Sequence, residues 1–177
     1  TDGATDLQTT AGSYDTTHNG ITDFYVARFN AVGSALVYST FIGGPGIDNI
    51  GSMAIDETGA VYAAGTVSVG YPTTAGVFDT VNVGSNEIGL TKLNAAGTAL
   101  AYSTFIGGTQ GESANAVAVD RFGIAYVAGS NFGGDYPTTA SAYDTTFNGN
   151  NDAVVTIVNQ NATALIASTY IGGNLND

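Results

Sequence analysis

The feature that most constrains this chain is an internal repeat with a period of 64 or 65 residues. Residues 38–44 (YSTFIGG) recur unchanged at 102–108, and residues 168–173 (STYIGG) repeat most of them. Self-similarity at a fixed period is the signature of repeat architectures. We therefore expect one repeat array over residues 1–177, with units at 7–70, 71–135 and, truncated, 136–177.

Each unit contains short apolar runs separated by turn signals. The predicted strands of the middle copy of the repeat are residues 51–56, 60–66, 87–93 and 100–106. The first two recur at 114–120 and 124–129. These runs have the usual length of β-strands and are too short for stable helices. The tetrapeptides DETG at 56–59 and DRFG at 120–123 are typical of tight hairpins, because glycine adopts positive φ without steric cost. Both faces of the run DFYVARF at 23–29 are largely apolar, which indicates a sheet packed on both sides.

Four antiparallel strands per unit, packed on both faces, predict an all-β fold. The period favours a β-propeller-type array of four-stranded antiparallel blades. This chain holds about 2.5 such blades. The first unit lacks its inner hairpin, so the propeller is incomplete. Exposed apolar blade faces are unstable in water. We therefore expect a protein partner, or copies of the chain itself, to cover the open faces.

Charge excludes several kinds of partner. The chain has 3 Lys and Arg against 15 Asp and Glu, for a net charge of −12. Nucleic acids and anionic lipid surfaces both require a cationic footprint, so neither is an expected partner. No apolar run approaches the roughly 18 residues of a membrane-spanning helix, so membrane insertion is not expected.

The concatenated motifs resemble the SBBP family, whose repeats are named for seven-bladed β-propellers. The resemblance rests on LVYSTFIGG, AVAVDRFGIAYVAGS, YPTTASAYDTTFNG and DAVVTIVNQ, and it spans residues 7–177. It implies an extracellular or cell-surface location, often within large microbial proteins. It implies no common catalytic activity.

Acidic residues recur in register and are the only patterned chemistry. They are Asp48, Glu112 and Asp177 between units, Asp56 and Asp120 after the inner strand, Asp15, Asp79 and Asp144 in the long loop, and Asp23, Glu87 and Asp152 before the third strand. One interpretation is Ca²⁺ binding, with Asp48 beside Asn49 and Glu112 near Gln110 as first candidates. The other is that these side chains cap turns by accepting backbone N–H groups.

Catalysis is not indicated, and no catalytic residue is predicted. A glycosidase needs one special carboxylate pair, whereas repetition would place equivalent pairs at three sites. His18 is the only histidine, and no G-x-S-x-G nucleophile elbow accompanies it. The glycine pairs at 43–44 and 107–108 are predicted to serve turns, since no phosphate-binding lysine follows them.

Three further positions carry specific expectations. Arg28 and Lys92 share one place in the repeat, and each is expected to pack its stem on the sheet with a charged tip at an edge, with ligand binding as the alternative. Asn161 begins the only N-x-[ST] sequon, at a predicted hairpin tip, and is a possible glycosylation site. The repeated aromatic residues are expected in the core: Tyr38, Phe41, Tyr102 and Phe105.

The sequence therefore predicts a non-catalytic extracellular structural or scaffold protein. It is expected to be completed by another chain or to self-assemble, as in a surface layer, a filament or an adhesin stalk. The alternative is a propeller module that binds glycans or other surface ligands through the loops at one end. An enzyme on this scaffold is the least favoured hypothesis, because no asymmetric acid–base site is visible.

Overall fold

A computed structural model describes residues 7–176 and shows an all-β protein. Within these residues, ten antiparallel strands form three sheets of two, four and four strands. The strands are β1 Phe24–Phe29, β2 Leu36–Ile42, β3 Asn49–Ile55, β4 Val61–Val67, β5 Glu87–Leu93, β6 Leu100–Ile106, β7 Glu112–Val119, β8 Ala125–Asn131, β9 Asp152–Val158 and β10 Leu165–Ile171. No helix is assigned in the described part of the chain, and hence none there could cross a membrane.

We call β1–β2 the first sheet, β3–β6 the second sheet and β7–β10 the third sheet. In the second and third sheets the strands lie side by side in chain order. Each of these sheets consists of an inner hairpin and an outer hairpin, joined by a long loop at residues 68–86 or 132–151. The first sheet consists of an outer hairpin alone.

The predicted strands are confirmed, with differences at their ends. β5 and β6 have the predicted bounds, whereas β3 and β7 each begin two residues earlier than predicted. The register of β3 against β4 shifts between Ile50 and Ser52, and β7 shifts at the equivalent place. A bulge of this kind inserts an unpaired residue. It interrupts the alternation by which a strand is recognised in a sequence.

The hairpin turns also follow the prediction. Gly59 and Gly123, which end the two Asp-x-x-Gly tetrapeptides, have φ of 85° and 78°. Gly33 and Gly97 close the outer hairpins of the first two sheets in the same conformation, with φ of 71° and 72°. In the third sheet this place is taken by Ala162 at φ 54°, the one non-glycine residue with positive φ in the described range.

The second sheet is packed on both of its faces. One core cluster joins it to the first sheet, and a larger one joins it to the third sheet. The two clusters repeat the same contact one period apart: Phe24 lies against Gly65, and Ile88 lies against Gly129. The aromatic residues predicted for the core are all buried: Tyr38, Phe41, Tyr102 and Phe105.

The long loops close the free edges of the outer strands. In the second sheet the Thr74 N–H donates to the Ser103 carbonyl at 3.0 Å, and the Phe105 N–H donates to the Asp79 carbonyl at 3.1 Å. Equivalent bonds hold the long loops of the other two sheets. Exposed strand edges are templates for unwanted pairing. The outer edges are therefore protected in every repeat.

The expectation that both faces of residues 23–29 are buried is wrong. Phe24 and Val26 are buried against the second sheet, but Phe29 on the opposite face is 58% exposed. Its counterpart Leu93 is 1% exposed, because the first sheet covers it. No described residue forms a sheet on the outer side of β1, so that face meets solvent.

The contact between sheets predicts different effects of two equivalent substitutions. A Cβ on Gly97 would overlap the ring of Tyr38 in the first sheet, whereas a Cβ on Gly33 would meet open space. Gly33→Ala should cost about 1 kcal/mol, the usual penalty of positive φ. Gly97→Ala should cost about 1–3 kcal/mol more, as expected for overpacking.

Urea unfolding of the two variants measures this difference. Equal losses of stability would mean that the first and second sheets do not pack as described. The third sheet already accommodates Ala162 at the equivalent turn, in one cluster with Tyr102, so the extra penalty is specific to the first interface.

Candidate functional sites

Asp48, the first calcium candidate, anchors the connection between the first and second sheets. The side chain is buried, with Oδ2 accepting the Gly44 N–H at 2.7 Å and Oδ1 accepting the Ser68 N–H at 2.9 Å. Burial raises the pKa of this carboxyl, and the two N–H groups act in the opposite direction. Both oxygens are therefore engaged by backbone groups of two segments, which ties the connection to the end of β4.

Glu112 has the same place one repeat later but is bonded differently. Its Oε1 accepts the side-chain N–H of Asn131 at 2.7 Å, and its Oε2 has no hydrogen-bond partner within the described residues. Glu87 is buried beside it. The Oε1 of Glu87 accepts the N–H groups of Val83 and Gly84 at 2.6 and 3.1 Å, and its Oε2 also lacks a partner in residues 7–176.

The two glutamates meet over Gly107. The position of a Cβ on Gly107 is occupied by Oε2 of Glu112, and it lies 2.6 Å from Cγ of Glu87. Gly43 faces the carboxyl of Asp23 in the same way, and Gly172 faces Asp152. Residues with a side chain cannot occupy these positions without displacing a carboxyl group.

The prediction that the glycine pairs serve turns is corrected at Gly43 and Gly107. Gly43 and Gly107 lie in the connections between sheets, but neither has the positive φ that would make a turn require glycine. The close approach of a buried carboxyl excludes a Cβ instead. The sequence places these carboxyls 20 residues before the glycine, and only the fold brings them together.

The burial of the two glutamates favours their protonated forms. Burial raises the pKa of Glu112 to about 8, and the nearby Glu87 and Asp135 carboxylates act in the same direction. Burial likewise raises the pKa of Glu87, with Asp79 and Asp135 contributing. Protonation of Glu112 removes one of the two buried negative charges.

The described residues provide no cluster of ligands that would support the calcium interpretation. Among residues 7–176, no group of three or more His, Cys, Asp or Glu side chains is arranged to hold a metal ion. Calcium binding at Asp48 or Glu112 stays a prediction. Asp177 lies outside the described residues.

The turn-capping interpretation is confirmed for the aspartates of the inner hairpins and of the long loops. Each of them accepts, at Oδ1, the N–H of the residue two positions later, at 2.8 or 2.9 Å: Asp15, Asp56, Asp79, Asp120 and Asp144. These side chains replace backbone acceptors at the turns. Their recurrence reflects the recurrence of the turns.

Lys92 binds the inner hairpin of its own sheet. Its Nζ lies 3.2 Å from Oδ2 of Asp56 and 4.7 Å above the centroid of the Tyr62 ring. Although burial opposes ionisation, bonds from Thr58 and Ala60 and the charge of Lys92 lower the pKa of Asp56 to about 2. The sequence predicted a packed stem with a charged tip and missed this ion pair.

Arg28 takes the place of Lys92 in the first sheet, where the inner hairpin is missing. Its guanidinium donates to the Ala95 carbonyl of the second sheet at 3.1 Å, and its side chain is exposed. The cation therefore lies near the edge of β1, and among the described residues it lacks the carboxylate and the aromatic ring that Lys92 has. The alternative that Arg28 binds a ligand stays a prediction.

A groove runs along the open edge of the first sheet, between β1 and β3. Within the described residues β1 pairs with β2 alone, whereas β5 and β9 each pair on both sides. The groove is lined mainly by apolar side chains, including Val26, Met53 and Ile55.

Three apolar side chains of β3 are exposed in this groove. Ile50, Met53 and Ile55 are 41%, 48% and 61% exposed. In β7 the counterparts of the first two, Ala114 and Val117, are 3% and 8% exposed. The difference arises because β7 packs on the inner hairpin of the second sheet, and β3 has no such hairpin beside it.

Asn161 lies at the tip of the β9–β10 hairpin and is exposed, as predicted. The next residue, Ala162, accepts the Phe78 N–H at 2.6 Å, which holds the tip against the long loop of the second sheet. Glycosylation of Asn161 stays a prediction. His18 packs edge-on against Phe41, with 5.5 Å between ring centroids.

Comparisons with protein-family models and with curated protein sequences find no match to this chain. The groove and the carboxylate pair therefore have to be interpreted from their own geometry.

The glutamate pair predicts a loss of stability with rising pH. Because the folded pKa of Glu112, about 8, is above its ordinary value of 4.5, the folded state binds more protons than the unfolded chain between these values. The stabilisation is complete below about pH 4.5 and is lost as the pH rises through 8. Each unit of pKa shift corresponds to about 1.4 kcal/mol, so the loss of stability between pH 5 and pH 9 is about 4 kcal/mol. We therefore expect the melting temperature to fall by about 10 °C over this range, since 1 kcal/mol corresponds to about 2–4 °C at this chain length.

Glu112→Gln should flatten this dependence, because an amide has no proton that titrates in this range. Glu57→Gln, at an exposed turn, is the control and should keep the wild-type slope. Equal slopes in all three proteins would refute the raised pKa of Glu112. A rise in melting temperature on adding Ca²⁺ at pH 9, lost in Glu112→Gln, would instead support the calcium prediction.

Proposed function

We propose that this chain is a non-catalytic, extracellular structural protein whose sheets stack as β-propeller-type blades and are completed by another chain or by further copies. The observation that carries the proposal is the unfinished first sheet, with its open β1 edge and exposed β3 face. The repeated sheet-to-sheet contact supports the stacked arrangement. The resemblance to SBBP repeats supports the propeller type and the extracellular location.

The two ends of the stack expose unlike apolar surfaces. At one end Phe29 of the first sheet is exposed, and at the other Tyr126 and Ile171 of the third sheet are exposed. The counterpart of Tyr126 in the second sheet, Tyr62, is fully buried. Different surfaces that bind each other form head-to-tail contacts, which generate rings or filaments.

The long loops supply a second sign that a further sheet is expected. The N–H groups of Tyr14 and Phe78 donate to the Gly97 and Ala162 carbonyls, each in the following sheet. Tyr143 has the same place in the third long loop and is 90% exposed. The third sheet therefore presents the surface on which a following sheet would dock.

These features fit a protein of a surface layer, a filament or an adhesin stalk. Because the net charge of −12 makes identical copies repel each other, their association has to rest on the exposed apolar surfaces. Large apolar surfaces on a soluble chain mark sites of association.

The proposal predicts concentration-dependent assembly. Sedimentation velocity and electron microscopy should show ordered polymers of the purified chain. Ile171→Asp should shift the chain towards monomer, because it places a charge on the exposed face of the third sheet, where the counterpart Ile106 of the second sheet is fully buried. Val81→Asp, at an exposed position in a long loop, should assemble as the wild type does. A chain that remains a stable, soluble monomer at every concentration would contradict the proposal.

The alternative is a module that binds glycans, and one cleft favours it. The cleft lies where the β9–β10 turn meets the long loop of the second sheet, and its lining includes Thr74, Gln160 and Asn161. Hydroxyl and amide groups of this kind both donate to and accept from sugar hydroxyls.

A glycan array tests this alternative directly. The wild type should bind a defined class of glycan, and Gln160→Ala should lose most of that signal while its melting temperature changes little, because the side chain is exposed. An array without signal, on a chain shown to be folded, would exclude glycan binding by this cleft.

A further inference from the structure

We propose that the groove between β1 and β3 binds a β-hairpin from another polypeptide segment, with the pattern Asp-x-x-Gly-x-x-Tyr-x-Ala-Gly. Residues 56–65 and 120–129 of this chain share that pattern. The inference rests on the proposed function and deepens it, because it names the kind of segment that completes the first sheet. It has three supports: the strand register, the apolar side chains of β3 and the charge of Arg28.

The register of the neighbouring sheets defines how the hairpin docks. β4 pairs with β5 along seven residues, from Val61 opposite Leu93 to Val67 opposite Glu87, and β8 pairs with β9 in the same way. Shifted back by one period, this register places the second strand of the docked hairpin along residues 23–29. Addition of a strand to an open edge supplies main-chain hydrogen bonds along its whole length.

The register also restricts the side chains of the docked strand. In the second sheet the alanine and glycine of the pattern, Ala64 and Gly65, stand opposite Leu90 and Gly89. The corresponding residues of β1 are Val26 and Tyr25. Because Tyr25 is far larger than Gly89, a glycine opposite it leaves the space that its ring needs.

The apolar side chains of β3 provide the second support. β7 packs against β3 and β4, the inner hairpin of the sheet before it. By the same geometry β3 would pack against both strands of the docked hairpin. Docking would then cover Ile50, Met53 and Ile55 as Ala114 and Val117 are covered in the third sheet.

Charge provides the third support. In the second sheet the inner hairpin gives Lys92 both the carboxylate of Asp56 and the ring of Tyr62. Arg28 occupies the corresponding place on β1. The aspartate and tyrosine of the docked hairpin would reach Arg28, whose guanidinium binds carboxylates in a two-pronged geometry that also stacks on aromatic rings.

A synthetic peptide with the sequence of residues 49–67 tests the proposal. Labelled with a fluorophore, it is titrated by anisotropy with the full chain, at a dilution where the chain is dispersed. We expect saturable binding of one peptide per chain. Changing the aspartate of the peptide to lysine should weaken binding about tenfold or more, because it sets like charges against each other.

Variants of the full chain locate the binding site. Met53→Asp and Arg28→Glu should each weaken binding about tenfold or more, and Val81→Asp is the control that leaves it unchanged. These positions are exposed, so thermal melts should show all three variants folded. Arg28→Glu should also recover affinity for the peptide that carries lysine, which a general loss of folding could not produce.

Two results would overturn the proposal: no saturable binding to the folded wild type, or binding that Arg28→Glu and Met53→Asp leave unchanged. Its failure is distinguishable from failure of the proposed function. A chain that polymerises but does not bind the peptide refutes the hairpin alone. A chain that binds the peptide and never assembles refutes self-assembly alone.

Discussion

A β-sheet with two apolar faces is stable only between two other layers, and this requirement organises the molecule. The second sheet meets it, with the first sheet on one face and the third on the other. Among the described residues, the first and third sheets each have a neighbouring sheet on one face only. The same tyrosine position shows the contrast: Tyr62 is fully buried in the second sheet, and Tyr126 is partly exposed in the third. Exposure in this protein follows the place of a sheet in the stack.

The buried carboxylates lie beside the connections that leave each sheet. At Gly43, Gly107 and Gly172 a glycine leaves room for the side chain of a buried acid. Asp48 is held by backbone N–H groups, whereas burial raises the pKa of Glu112 and favours its protonated form. Packing of each connection on its own sheet is enough to bury such an acid, because Asp152 is fully buried although no described sheet follows the third.

The repeat and the alternation of apolar residues were enough to predict the strands, the hairpins and the missing inner hairpin. The bulges in β3 and β7 hid the ends of those strands, since they break the alternation. The ion pair of Lys92 with Asp56 could not be predicted, because it joins residues 36 positions apart and depends on the pairing of β4 with β5. Periodicity also showed that both faces of β1 are apolar, but it could not show that Phe29 has nothing covering it.

Association of whole chains and completion of the first sheet are separate requirements. Copies stacked head to tail would cover the outer faces of the first and third sheets. The edge of β1 would stay unpaired, because within residues 7–176 the first sheet of every copy has two strands. Each junction would then keep an apolar groove and an exposed Arg28. A hairpin donated to that groove turns the first sheet into a layer with the same four strands as the others. It also widens the surface on which the next sheet packs, so that docking and assembly reinforce each other.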